Sequence, residues 1–242
     1  MATYREQGIV LRTWKLGEAD RIVNLFTQGR GKVRAVVKGV RRTGSRIGGR
    51  LEPFTHVDLQ LYEGRNLDVV NQAETIAAHG RIRDDYGRSM AANVLVEVVD
   101  ALAQEGTQDL PLFLLLRAGL QALDAEPPDP SVFVDAFLLR ATGVAGFPVH
   151  LDACAGCRAV GEHRHLSVNR GGVLCSDCAS IGARAIDAGS LDRVRTLATG
   201  SWVALPALAD GTDAQRTASS FARVYAEHHL GIRLRAWDLI PR

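Results

Sequence analysis

Residues 8–40 read GIVLRTWKLGEADRIVNLFTQGRGKVRAVVKGV. This stretch contains three short runs rich in Val, Ile and Leu, which the turn-like links KLGEAD and QGRG separate. Two similar runs follow at residues 56–62 and 67–73, after one long link and one short link. Apolar runs bounded by turn residues are typical of β-strands. Five strands within about 75 residues, with the long link after the third, predict an OB-fold barrel, and an SH3-like barrel stays open as the alternative.

All four cysteines lie in residues 154–178, CAGCRAVGEHRHLSVNRGGVLCSDC, as two C-x-x-C pairs separated by 17 residues. Two pairs at about this spacing are the usual form of a four-thiolate zinc site, because each pair makes a knuckle that aims two sulfurs at one tetrahedral metal. Four cysteines close the coordination shell, whereas a catalytic zinc keeps one position open. We therefore predict one structural Zn²⁺ bound by Cys154, Cys157, Cys175 and Cys178.

Other roles for the thiols fit less well. A thioredoxin-like centre uses one C-x-x-C rather than two facing pairs. Disulfides are rare in the cytoplasm, which is the predicted location because the N-terminus lacks an export signal. The longest apolar stretch, residues 110–123, contains Arg117 and is too short to span a bilayer. Two alternatives stay open, namely that His163 or His165 replaces one thiolate, or that the site is partly empty.

The rest of the chain favours helices. Apolar residues recur at helical spacing in residues 89–106, 109–128, 129–143 and, more weakly, near residues 191–201 and 213–231. Asp109 and either Asp129 or Ser131 are candidate N-caps, and Gly143 is a C-terminal signal. The predicted fold class is therefore α+β, with an OB-fold nucleic-acid-binding domain at residues 1–80 and a helical domain at 81–242 that carries the inserted zinc module at 150–180.

Charge is unevenly distributed along the chain. Residues 1–80 carry 13 Lys and Arg against 8 Asp and Glu, whereas residues 81–153 carry 5 against 11. Within residues 30–50 there are eight cations and no acid. Alternate residues of a strand share a face, so Lys32, Arg34 and Lys38 are predicted to point away from the barrel interior.

This basic stretch predicts binding to a nucleic-acid backbone. A basic strand face and a Gly-rich basic loop suit phosphates, and Trp14 shares a predicted strand face with Arg12. The alternative is a solvated strand face, since edge strands also use Lys and Arg against aggregation. Eight cations without an acid favour a polyanion. The predicted nucleic-acid contacts are Arg12, Arg30, Lys32, Arg34, Lys38, Arg41, Arg42, Arg46 and Arg50.

Longer segments resemble the RecO family of bacterial recombination mediators. Residues 8–42 and SRIGGRLEPFTHVDLQLYEGRNL at 45–67 resemble its N-terminal domain. FLLRATGVAGFPVHLDACAGC at 137–157 resembles its helix before the first zinc knuckle, and HHLGIRLRAWDLI at 228–240 resembles its end. The resemblance covers essentially the whole chain, although not every member keeps the four cysteines.

The resemblance implies a DNA repair and homologous recombination mediator in the bacterial cytoplasm, associated with the nucleoid. Such a protein binds single- and double-stranded DNA, anneals complementary strands and helps RecA to load on DNA coated by single-strand-binding protein. It works with RecR and, in some settings, with RecF. No phosphate-binding P-loop or nucleophile-elbow motif occurs in the sequence, so we predict that the protein is not an enzyme.

A partner site is predicted in the C-terminal helical part. Its apolar residues Leu191, Val194, Leu197, Phe221 and Val224 alternate with arginines, of which Arg195 and Arg223 are the candidate contacts for the acidic tail of a single-strand-binding protein. The alternative is that these apolar residues are core and the arginines are solvated.

Two other functions stay open for the whole chain. An RNA-binding or transcription-type protein could combine an OB-fold with a zinc ribbon, and strand annealing on protein-coated DNA would separate it from a mediator. A zinc enzyme is the third possibility, against which an all-sulfur shell without water would argue.

Overall fold

A five-stranded barrel forms the N-terminal part of the chain. The computed structural model describes residues 2–40, 47–179 and 182–241. The barrel strands are β1 (Thr3–Leu16), β2 (Asp20–Thr27), β3 (Gly31–Val37), β4 (His56–Tyr62) and β5 (Asp68–Ala77). They close in the order β1-β2-β3-β5-β4, with β3 and β5 parallel and the other neighbours antiparallel. All five predicted strands are present, and the predicted OB-fold is confirmed.

The alternation predicted for the third strand is also observed. Val33, Ala35 and Val37 pack inside the barrel, while Lys32 and Arg34 point out of it. The long link between β3 and β4 contains a 3₁₀ turn at Gly48–Leu51, which buries Leu51 in the barrel core. A bulge in β1 between Val10 and Arg12 shifts the register against β2.

Helices form most of the remaining chain. They are α1 (Gly80–Asp84), α2 (Tyr86–Leu102), α3 (Leu110–Asp124), α4 (Pro130–Val144), α5 (Ala188–Thr199) and α6 (Asp213–Leu230). Asp109 and Asp129 accept backbone N–H groups at the starts of α3 and α4, so both predicted caps are confirmed. Between α4 and α5, a small sheet joins β6 (His165–Ser167), β7 (Gly172–Leu174) and β8 (Arg184–Ala185) in the order β7-β6-β8.

Helix α2 ends earlier than its apolar pattern predicts. The pattern extends to Gly106, but the helix ends at Leu102. The following residues turn back to the barrel, where Gln104 accepts the Lys32 N–H at 3.0 Å. Gly31 permits this approach, since it has φ +64° and a Cβ on it would lie 2.2 Å from the Thr107 carbonyl oxygen. Pairing with β3 therefore outweighs continued helix formation.

The barrel packs on the helices through an apolar core that is distinct from the barrel interior. Helix α4 is its centre and packs against α2, α3, α5 and α6. Ile9, Leu11, Phe26 and Phe54 of the barrel belong to the same buried cluster as these helices, and Phe26 lies 5.9 Å from the Phe113 ring of α3. The chain changes from strand to helix between Ala77 and Gly80, and its division into two domains stays a prediction. None of the helices described here has the length and apolar character needed to cross a membrane.

His56 makes this shared core sensitive to acid. The residue is 4% exposed at the start of β4, its ring packs edge-on against Phe113 at 5.7 Å, and its Nε2 atom has no hydrogen-bond partner among the described residues. Burial, the positive charge of Arg117 and the nearby His79 lower the pKa of His56 to about 4. Its protonation therefore favours the unfolded chain.

The free energy of unfolding is expected to fall as the pH drops from about 6.5 to about 4, because in this window the unfolded chain binds the His56 proton and the folded chain does not. The contribution is fully present above pH 6.5 and reaches at most about 3 kcal/mol. Urea unfolding at pH 7 and pH 4.5 measures it. His56→Gln should flatten this part of the pH dependence, whereas the exposed-site variant His228→Gln should not. Equal pH dependence in wild type and His56→Gln contradicts the assignment.

Candidate metal centre and nucleic-acid interface

The four cysteines come together at one point. Their Sγ atoms all lie within 4.8 Å of one another, and Cys157 Sγ lies 3.7 Å from Cys175 Sγ. A tetrahedral zinc with bonds of about 2.3 Å requires sulfur–sulfur distances of about 3.8 Å. The sulfurs therefore have the spacing of a closed four-thiolate metal site, as the sequence predicts.

Local backbone structure places the two pairs. The first pair lies within a turn that is closed by a 2.9 Å hydrogen bond from the Arg158 N–H to the Cys154 carbonyl oxygen, and the second pair follows β7 directly. Gly156, inside the first pair, allows the two pairs to approach closely, because a Cβ there would lie a tight 3.1 Å from Cys178 Sγ. Gly172 is needed in β7, because a Cβ there would lie 2.1 Å from the His150 carbonyl oxygen.

Hydrogen bonds around the sulfurs shift the pKa values of two of the thiols in opposite directions. Backbone N–H groups of Cys157 and Cys175 lower the pKa of the Cys154 thiol to about 6. Side-chain hydrogen bonding, first of all with Cys175, raises the pKa of the Cys178 thiol to about 12. Four thiolates this close repel one another, so full deprotonation at neutral pH requires a divalent cation among them.

Neither histidine of the intervening loop joins this group. His163 Nε2 lies 2.7 Å from the Ala159 carbonyl oxygen, and His165 is a residue of β6. Among the described residues, the group that could hold a metal consists of the four cysteines alone. The alternative in which a histidine replaces one thiolate therefore has no support in the geometry.

The predicted nucleic-acid contacts of β3 are engaged by acids from the helical part. Lys32 Nζ lies 2.8 Å from the Asp100 carbonyl oxygen and 3.5 Å from its carboxylate, and Arg12 lies 3.8 Å from the same carboxylate. Arg34 Nε lies 2.9 Å from Glu105. Asp100 is in α2 and Glu105 follows it, so acids of the middle segment lie against the cations of the barrel.

The other predicted contacts differ in their surroundings. Arg30 lies over the Tyr4 ring at 3.9 Å and 3.8 Å from Glu63. Arg50 donates to the Ala73 carbonyl oxygen at 2.7 Å, which fixes the long link to β5. Lys38 is exposed and makes no ion pair with the described residues. The predicted contacts Arg41, Arg42 and Arg46 lie outside the described residues.

One cation at this surface escaped the sequence prediction. Arg65, in the link between β4 and β5, lines a cleft of about 190 Å³ together with Arg30, Lys32 and Arg34. Strands β3 and β5 pair only at Ala35–Asp68 and Val36–Val69, so the two strands are separated beside Arg34. Arg65 in the link EGRN was a possible signal, but the closeness of this link to the start of β3 follows only from the strand order.

Family comparisons match nearly the whole chain. The family described as "Recombination protein O N terminal" matches residues 1–79, and the one described as "Recombination protein O C terminal" matches residues 83–238. The chain belongs to the RecO family. Its relatives include three proteins called DNA repair protein RecO. The one from Frankia casuarinae is 46% identical and covers 100% of both chains, the one from Nocardioides sp. is 44% identical over 99% of both, and the one from Thermobifida fusca is 42% identical over 100% of both.

Membership in the RecO family makes this a DNA repair and recombination protein, as the resemblance implies. The five-stranded barrel lies in the N-terminal family match, and the helices with the four-cysteine site lie in the C-terminal match.

The apolar residues of the predicted partner site lie mostly in the core of this RecO-family chain. Leu191, Val194, Leu197 and Phe221 are at most 9% exposed, whereas Val224 is 48% exposed. The four buried residues therefore do not line an open groove. They belong to the core, as the alternative interpretation of the sequence states.

The two arginines of that predicted site are both paired. Arg195 lies 2.8 Å from Asp192 and donates to the Leu151 carbonyl oxygen at 3.2 Å. It lines a cleft of about 250 Å³ between α5 and the metal-site loop. Arg223 lies 2.7 Å from Asp238 and 3.5 Å from Glu227. Only Arg195 therefore combines a cleft with a charged rim.

Proposed function

We propose that this RecO-family protein is a recombination mediator that binds single- and double-stranded DNA and anneals complementary strands. With RecR it helps RecA to load on DNA coated by single-strand-binding protein. The observation that carries the proposal is the cationic outer side of β3, with Arg34 and Lys38 on an OB-fold barrel in a member of the RecO family. OB-folds bind oligonucleotides through the outer face of strands 2 and 3 and the flanking loops.

Charge neutralisation is the proposed mechanism. One strand lies along the Lys32, Arg34 and Lys38 side of the barrel, and the basic link that follows holds it or a second strand. Cations between two strands lower their mutual repulsion, which permits base pairing without any covalent chemistry. The proposed role is therefore that of a non-enzymatic mediator in the bacterial cytoplasm, at the nucleoid, with RecF as a further partner in some settings.

We propose Zn²⁺ as the metal of the four-cysteine site. Tetrahedral sulfur coordination selects zinc or iron, and four sulfurs leave no position for a substrate. Cys154, Cys157, Cys175 and Cys178 would hold the ion, which supplies folding energy to a segment with little apolar core of its own.

An annealing assay tests the proposed function. Complementary oligonucleotides coated with single-strand-binding protein should anneal faster with the protein than without it, and RecR should change that rate. A fluorescence-quenching pair on the two strands follows the reaction. An RNA-binding protein of the same fold would leave the coated strands separate, and that result would refute the mediator proposal.

The protein is also expected to bind a peptide that represents the acidic, apolar tail of a single-strand-binding protein. Arg195 in its cleft would form charge-assisted hydrogen bonds with the peptide carboxylate, so Arg195→Glu should weaken binding about tenfold or more. Arg223→Glu should weaken it less, because the Arg223 side chain is 27% exposed between its acidic partners, whereas the Arg195 side chain is 41% exposed. Isothermal titration measures both, with Arg81→Glu on α1 as the matched charge reversal. Unchanged affinity in the first two variants would remove this surface from consideration.

A further inference from the structure

An apolar row crosses the barrel from strand to strand. In the strand register, Trp14 lies opposite Ile22, and Ile22 lies opposite Val36. Val36 lies opposite Val69, and Val69 lies opposite Tyr62. The five residues thus form one continuous row over β1, β2, β3, β5 and β4, which we call the outer belt.

The outer belt faces away from the barrel interior. Successive residues of a strand point to opposite faces, and directly opposed residues share a face. The neighbours Val23, Val37, Val70 and Leu61 all pack in the barrel core, so the adjoining members of the belt point outward. Trp14 shares the face of its partner Ile22. None of the five belongs to either buried cluster.

The two aromatic ends of the outer belt are open to solvent. Trp14 is 47% exposed and Tyr62 is 37% exposed. Neither ring makes a ring–ring or cation–ring contact within residues 2–40, 47–179 and 182–241. By contrast, Trp202 stacks on Phe133, and Trp237 is 3% exposed. The barrel residues that cluster with the helices, Ile9, Leu11, Phe26 and Phe54, are not members of the outer belt.

Cations flank the outer belt on both sides. Two residues before Trp14 and Val36 are Arg12 and Arg34, which therefore share the outward side of their strands. Lys38 is exposed in the turn that follows β3, on the other side of Val36. Because these five strands close into a barrel, the belt curves around it over an arc of about 19 Å, with Ile22 and Val36 as the members nearest to Trp14. Such an apolar row between cations is complementary to a polymer that carries flat groups able to stack along its middle and anionic groups along its edges.

Single-stranded nucleic acid has this chemistry, and a duplex does not. Bases in a duplex hide their faces against one another, so a duplex presents mainly phosphates to a sheet. In a single strand each base has a free face, and aromatic side chains stack on it regardless of sequence. We propose that the outer belt contacts unstacked bases, with Trp14 as the main stacking residue, and that this contact strengthens binding of single strands without strengthening binding of duplexes.

The inference rests on the proposed DNA binding, and Trp14→Ala tests it separately. The variant should bind a single-stranded oligothymidine about 5- to 150-fold more weakly, the range that loss of one stacked base produces. Its affinity for a duplex of equal length should change less than about twofold, and the salt dependence should keep its slope, because no phosphate contact is removed. Fluorescence anisotropy measures all three quantities.

Two further variants control the result. Trp14→Phe keeps an aromatic face and should retain most of the single-strand affinity, whereas Tyr86→Ala removes an even more exposed aromatic residue outside the barrel and should have no effect. Single strands should also quench the tryptophan fluorescence of wild type but not of Trp14→Phe, since Trp14 is the solvent-exposed one of the three tryptophans.

The possible failures are distinguishable. If wild type binds neither DNA form, the proposed function fails and this inference with it. If wild type binds DNA and Trp14→Ala keeps its single-strand affinity, or loses duplex affinity equally, only the inference is overturned. Normal DNA binding with loss of RecR association in Trp14→Ala would make the belt a protein contact and would also overturn it.

Discussion

Removal of the metal is expected to unfold the segment between residues 150 and 180. The segment contains only short strands, and its apolar core is limited to a few side chains such as Leu166 and Val173. Metal binding must therefore supply most of its folding free energy, as it does in other small metal-bound modules. Cys154→Ser should have the same effect, because Cys154 is the fully buried member of the four and accepts two backbone N–H groups.

The expected change is large. A loss of about 5 kcal/mol would lower the melting temperature of a chain of this size by about 10–20 °C. Calorimetry measures the temperature, limited proteolysis locates the unfolded segment, and elemental analysis should give one zinc per wild-type chain. X-ray absorption should show sulfur ligands alone.

A matched variant separates metal loss from local disturbance. Ser176→Ala changes an exposed residue between Cys175 and Cys178 and should leave zinc content and melting temperature unchanged. DNA affinity of the Cys154→Ser protein that remains folded should fall far less than its stability, because the DNA site is proposed on the barrel. A metal-free protein with the wild-type melting temperature and protease pattern would rule out a structural role.

Loss of the β3 cations is expected to weaken DNA binding and its salt dependence together. Each neutralised phosphate of a single strand contributes about 0.7 to the slope of log affinity against log salt, so replacing Lys32, Arg34 and Lys38 by Ala should flatten it by up to about 2 units. The loss should be similar for unrelated sequences, because phosphate contacts carry no sequence information. Strand annealing should fail in the same variant.

The internal ion pairs refine this expectation. Asp100 and Glu105 already neutralise part of the charge of Lys32 and Arg34. Lys38 alone should therefore contribute about 0.7 to the salt slope, whereas Lys32 and Arg34 should each contribute less than about 0.7. Glu105→Gln frees Arg34 and should strengthen single-strand binding at low salt by up to about fivefold, the range of an exposed ion pair. Glu162→Gln removes the same charge from the metal-site loop and serves as the control.

Salt titrations by fluorescence anisotropy provide the measurement, with circular dichroism and zinc content as checks on folding. Both checks should stay normal, since Arg34 and Lys38 are exposed and Lys32 points out of the barrel core. A wild-type slope and affinity in the triple variant would mean that DNA lies elsewhere, for instance on the arginines that follow Cys178.

Local patterns predicted the strands and the metal site well. The alternation of Val33, Ala35 and Val37 depends only on the pleat of a strand, and the C-x-x-C spacing depends only on knuckle geometry. The caps Asp109 and Asp129 act within two or three residues of themselves. Such features are decided by neighbours in the chain, so a sequence contains the information needed to predict them.

Contacts between distant segments were not predictable in this way. Lys32 and Asp100 are 68 residues apart, and their proximity depends on how α2 packs on the barrel. The end of α2 and the position of Arg65 follow from the same packing. On α5, the apolar stripe with Leu191 and Val194 looks the same whether it covers a core or lines a groove, and only the position of α4 decides between the two.

The apolar wall that the barrel shares with the helices affects how the protein could be divided. A fragment of residues 2–79 would present Ile9, Leu11, Phe26 and Phe54 to water, and an apolar patch of this kind promotes self-association. Expression of the isolated N-terminal piece should therefore give aggregates, although the two family matches meet near residue 80. The same wall couples the two parts in the full chain, so a destabilising substitution at Phe26 or Phe113 is expected to loosen the barrel and the helices together.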